Sequence, residues 1–177
     1  MSSTELYRVN SDGDVKWHCD FSNSWRRAIL IWDNMAKKYL NKSVGSMMCG
    51  NMDDLWELNK RLDIPSAHRI VLMSTYDKCV VHRERIPRLI RAYDDYCKED
   101  WDTGNVPLFS LELDKLFLDR DCTAICWNQT SVNSSIWTVH EYENDRDDEG
   151  TFRPYNIFTD TDHWFLFDRL DEIEREN

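Results

Sequence analysis

The chain has 177 residues, 41% of them hydrophobic and 31% charged, and eight tryptophans stand among its aromatic residues; such a composition excludes a disordered chain and leaves room for one self-sufficient core. Its net charge is −11, and residues 141–177 hold 13 of its 33 acidic residues against four arginines. The longest apolar run, 28–32, is far short of the ~20 residues of a membrane span, and the N-terminus lacks the basic and apolar regions of an export signal. One α+β domain over 1–177 with an acidic C-terminal quarter is therefore expected. It is expected in the cytoplasm, with its six cysteines reduced.

Residues 4–20 read as a β-hairpin. Two runs of β-formers flank Asn10-Ser11-Asp12-Gly13-Asp14, a turn with Asp-Gly at its centre. On the second strand Val15, Trp17 and Cys19 alternate with Lys16, His18 and Asp20, so one face is predicted apolar and the other, carrying His18, wet. Ser22-Asn23-Ser24 offers N-caps for a helix over 24–40, whose apolar face includes Trp25, Ile29, Trp32, Ala36 and Tyr39. Residues 41–50 read as a loop. Asn51 then caps a second helix that ends before Pro65 and buries Leu55, Leu58 and Leu62.

A helix over 66–76 competes with a strand across 70–73, and 79–82 reads as a short extended link. Ile86, Leu89, Ile90, Tyr93, Tyr96 and Cys97 then mark one face of a helix with Pro87 in its first turn. Residues 108–118 are predicted helical. Beyond them the pattern turns to strands: 122–129 and 135–142 as a hairpin through 130–134, with further strands in 152–158 and 163–167. The last ten residues read as a short acidic helix or a frayed tail. A strand pair, then helices, then strands argues for an antiparallel sheet, built from the N-terminal hairpin and the C-terminal strands, packed on a central group of helices.

Three constellations are candidates for function. Arg83, Arg85, Arg88 and Arg91 crowd the start of a helix, where the macrodipole disfavours cations. They are candidates to bind an anion or the chain's own acids. Asp145, Asp147, Asp148 and Glu149 form an acidic surface, and Trp137, Tyr142, Phe152, Tyr155 and Trp164 are candidate aromatic anchors beside it. The run Asp145 to Gly150 imitates the start of an EF-hand loop but has Asn156 where the bidentate Glu belongs, so no calcium site follows. Cys122 and Cys126, read as strand residues, share one face as buried small hydrophobes. Asp160-x-Asp162-His163 and Asp119-x-Asp121 would hold a divalent ion only if they converged in space.

Nucleophile elbow, Walker A loop and dinucleotide fingerprint are all missing from the sequence. No cofactor and no metal is expected. The reading is a non-catalytic, acidic, aromatic-rich interaction protein that binds, and by covering inhibits, a protein partner with a basic surface. A negative field repels nucleic acid, so no direct nucleic-acid contact and no membrane contact are expected. The alternative is a small enzyme or ligand-binding domain whose site gathers dispersed His, Asp and Arg residues.

Overall fold

The computed structural model describes residues 3–22, 27–131, 135–141 and 151–176. Strands β1 (Ser3–Val9) and β2 (Val15–Ser22) form the expected hairpin. In the turn, Asn10 Oδ1 accepts from the backbone N–H groups of Asp12 and Asp14, and Gly13 takes φ +88°. A Cβ at Gly13 would lie 2.5 Å from the Phe158 ring, so both conformation and close approach require glycine there.

Strand β1 also pairs with β4 (Ala124–Ser131), β4 with β3 (Cys79–His82), and β3 with β7 (Trp164–Phe165), in the order β2-β1-β4-β3-β7. The β3–β7 pair is parallel, so the sheet is mixed where a wholly antiparallel one is expected. Residues 79–82 are an interior strand and not a link: Cys79, Val80 and Val81 are all buried, which suits an interior position.

The expected hairpin across 122–142 does not form. Strand β5 (Thr138–Glu141) pairs with β6 (Thr151–Pro154) in a separate two-stranded sheet.

Period-two alternation gives the main sheet two apolar faces. Leu6, Cys79, Val81, Ile125 and Trp127 face the helices. Tyr7, Val9, Val15, Val80, Ala124 and Cys126 face a second core closed by Trp137, Tyr155 and Ile157. Cys122 precedes β4 and turns into the helical core, so it does not share a face with Cys126. None of the six cysteines is bridged.

The helical layer comprises α1 (Ala28–Leu40), α2 (Val44–Met48), α3 (Asp53–Glu57), α4 (Ser66–Met73), α5 (Ile86–Tyr96), α6 (Val106–Leu118) and α7 (Leu166–Glu176). Helix α1 starts at Ala28, later than expected; Asn23, Ser24 and Trp25 lie outside the described residues. Part of the expected 41–50 loop is α2, capped by Ser43 Oγ. Helix α3 gives way after Glu57 to a 3-10 turn, which leaves Leu62 about half exposed, at 48%, and buries Ile64 in its place.

Helix α5 buries Leu89, Tyr93 and Tyr96 completely, as its spacing predicts. The acidic C-terminus is not a frayed tail. Leu166, Phe167, Leu170 and Ile173 recur at helical spacing and enter the main core. No helix among the described residues is long and apolar enough to cross a membrane.

Candidate functional site: an aromatic cleft

Trp32 on α1, Trp56 on α3, Tyr76 after α4 and Trp164 on β7 meet beside the starts of the parallel strands β3 and β7. Trp56 stands edge-on to Trp32 (centroids 5.5 Å apart) and to Tyr76 (4.8 Å), and Tyr76 lies 5.9 Å from Trp164. Offset and edge-to-face arrangements are the favourable ones for aromatic rings, so the walls support one another.

Two adjoining cavities share Trp56 and Tyr76. One, of about 310 Å³, extends toward Met73, Ile173 and Arg169; the other, of about 490 Å³, toward Trp32, Thr75, Asp77 and Gln129. Both volumes suit a side chain or small ligand.

The indole N–H groups of Trp32 and Trp164 are already bonded within the protein. Trp32 Nε1–H donates to Thr75 Oγ1 (2.7 Å) and Trp164 Nε1–H to the Asp77 carbonyl (3.0 Å). The Tyr76 hydroxyl accepts from Asn59, and burial pushes its ionisation well above the usual value. Trp32 and Trp164 therefore offer an occupant ring surface and not their N–H groups. Among the described residues Asp77 is the only charged one lining the larger cavity; its Oδ1 accepts the Gln129 backbone N–H at 2.9 Å. Lys60 and Arg169, at the smaller cavity, are tied to Glu57 and Glu172.

A separate, polar pocket of about 460 Å³ is lined by Lys78, Tyr155 and Thr159 to Asp162 among others. Lys78 adopts φ +57°, a left-handed conformation uncommon outside glycine. Its ammonium donates to the Ile136 carbonyl, lies 3.1 Å from Asp162, and sits 4.1 Å from the Tyr155 ring centroid. The Tyr155 hydroxyl meets His163 Nδ1 at 3.0 Å.

Burial and the neighbouring Asp162 raise the Tyr155 ionisation far above neutral, and burial lowers that of His163. A tyrosine kept protonated beside a neutral imidazole is no activated base. The cluster instead latches Ile136, Tyr155, Asp162 and His163 onto the start of β3.

The sequence-derived candidates disperse. Trp137 and Tyr155 are buried in the second core, where Trp137 Nε1–H donates to the Trp127 carbonyl. A side chain enclosed by its own protein offers no surface anchor, so these two leave the list. Phe152 remains, 71% exposed and stacked on His140, and Trp164 belongs to the cleft. Tyr142, Asp145, Asp147, Asp148 and Glu149, with the EF-hand-like run, lie outside the described residues.

The four arginines form no common cradle. Arg83 donates to the Phe117 and Arg120 carbonyls at the end of α6. Arg88 lies over the Phe167 ring and 3.5 Å from Asp171 of α7. Arg85 and Arg91 are exposed.

The divalent-ion carboxylates do not converge. Asp119 pairs with Arg8, Asp160 with Arg153, and Asp162 with Lys78.

Sequence reasoning misses the cleft. Helical spacing assigns Trp32 to a buried face, while Trp56, the pair Tyr76-Asp77 and Gln129 come from three separate segments with no shared motif. Compared with known families, curated proteins and solved structures, the chain matches none of them.

Proposed function

We propose that the protein is a recognition module for a basic protein partner, and that the aromatic cleft receives a lysine or arginine side chain of that partner. The observation carrying this reading is the wall of Trp32, Trp56 and Tyr76 with Asp77 as the only charged lining residue of the larger cavity among the described residues. Ring faces attract a cation, by ~0.5–2 kcal/mol depending on desolvation, and a carboxylate at the edge completes the site. The alkyl stem of lysine or arginine suits the apolar walls.

The acidic residues of 141–177, among them Asp145, Asp147, Asp148 and Glu149, speed encounter with a basic partner through their negative charge, and exposed Phe152 adds apolar surface. Occupying a basic surface blocks its other ligands, which is how such binding inhibits. The unbridged cysteines fit a reducing compartment, the cytoplasm.

Tryptophan fluorescence tests the proposal. Lysine- and arginine-containing peptides should perturb the emission, and the same peptides with norleucine at those positions should do so far more weakly. Trp56→Ala and Asp77→Asn should each abolish or weaken the response. Equal responses to the cationic and norleucine peptides would refute a cation site.

A further inference from the structure

Strict alternation places His18 and Cys19 on opposite faces of β2, but β2 does not alternate there. Leu6 pairs with Cys19 while Tyr7 pairs with Trp17, so His18 is an extra residue, a β-bulge in the edge strand of the sheet. The bulge reverses the facing of the strand. Val15 lies on the second-core face, while Cys19 and Phe21 pack on the helical core. It also re-aims the His18 imidazole toward α6, where Nε2 lies 3.1 Å from Glu112 Oε2. His18, Cys19 and Glu112 each present one ligand atom, all within 4.8 Å of one another, and all three side chains are partly exposed.

We propose that His18, Cys19 and Glu112 form a site for a transition-metal dication of the zinc type, which pins the edge strand β2 to helix α6. An imidazole nitrogen, a thiolate sulfur and a carboxylate oxygen are the donor types zinc takes, and the sulfur disfavours magnesium and calcium. Around a tetrahedral ion with bonds of 2.0–2.3 Å the ligand atoms stand roughly 3.3–3.8 Å apart. The His18–Glu112 pair is already that close, and a side-chain adjustment brings in the sulfur. Lys115 Nζ holds the other Glu112 oxygen, Oε1, which orients Oε2 toward His18 and Cys19 as an outer partner of a metal-bound carboxylate does. Because the three residues are partly exposed, a water completes the coordination. Binding replaces the thiol S–H bond with a metal–sulfur bond, and the proton leaves to solvent.

Cobalt(II) alone is the probe, read by absorption. The full chain should take up one equivalent with a thiolate-to-cobalt charge-transfer band, and added zinc should bleach the band. Cys19→Ser should remove the band, and Cys49→Ser, at the exposed cysteine, should leave it. His18→Gln and Glu112→Gln should weaken affinity by at least the ~10–100-fold typical of losing a supporting partner. If Cys19→Ser does not fold, protection of Cys19 from alkylation by zinc in the unaltered chain decides the matter. No band in the unaltered chain, a band that survives in folded Cys19→Ser, or a Cys19 alkylated equally fast with zinc overturns the site.

Discussion

The guanidinium of Arg27 lies 3.7 Å from the ring centroid of Phe109, wholly buried at the junction of the sheet and the helical layer. Its Nη2 donates to the Tyr93 hydroxyl at 2.6 Å and its Nη1 to Gln129 Oε1, while Nε has no partner among the described residues. No carboxylate among the described residues pairs with it, and burial lowers its pKa. Desolvating a cation against neutral partners makes this arrangement a cost to stability.

Arg27→Met should therefore leave stability within ~1 kcal/mol of the original chain or raise it, as apolar replacements of buried charges often do. Both groups it leaves keep partners: Tyr93 its bond to Ser74, and Gln129 Oε1 its contact with Thr4. Tyr93→Phe instead removes an acceptor from the buried charge and should cost ~1.5–3 kcal/mol. Urea unfolding of the two variants checks the contrast. A loss above ~3 kcal/mol for Arg27→Met would show that the cation itself stabilises the fold.

Helix α7 gives a second expectation. Leu170 is fully buried in the main core, so Leu170→Ala should cost ~2–5 kcal/mol, as Leu89→Ala in α5 should. Glu176→Gln at the exposed end should stay within ~0.5 kcal/mol. Denaturant midpoints at equal slope separate the cases.

These expectations show where the sequence is legible. The hairpin and α5 are, because Asp-Gly in a turn and six apolar residues at helical spacing each have one good solution. Helix α7 is legible in part: Leu166, Phe167, Leu170 and Ile173 carry the pattern of the short acidic helix, one of the two readings of the last ten residues, while the many acids favour the other, a frayed tail. The bulge at His18 is illegible, since alternation assumes an unbroken register and nothing local marks the break. The cleft is illegible for a different reason: Trp32, Trp56, Tyr76 and Trp164 become neighbours only through the packing of α1, α3 and β7 around the end of α4.

Acid titration should expose one surface latch. Asp160 takes two bonds of 2.8 Å from Arg153 and one from the Asn156 backbone N–H. Arg153 is the main cause that lowers the Asp160 pKa to about 2. A carboxylate with a depressed folded pKa stabilises the fold above its unfolded pKa of about 3.9, and that stability is lost as pH falls toward the folded value. Asp160→Asn should therefore melt lower than the original chain at neutral pH, with the gap closing between about pH 4 and pH 2. A gap of constant size across that range would show that the charge is not what matters.

Association kinetics should divide the roles of the acidic quarter and the cleft. Charges outside a contact accelerate encounter and are screened by salt, whereas buried anchors hold the complex once it has formed. Neutralising Asp145, Asp147, Asp148 and Glu149 together should lower the association rate for a basic partner and flatten its dependence on salt. Its dissociation rate should change little. Trp56→Ala should do the reverse: an unchanged association rate with a dissociation rate raised ~30-fold or more, the equivalent of losing an anchor worth ~2 kcal/mol. Surface plasmon resonance at low and high salt resolves both rates. An unaltered association rate in the quadruple variant would assign the acidic run a solubilising role, and attention would then pass to the exposed Arg85 and Arg91, whose charge favours an acidic or phosphate-bearing ligand.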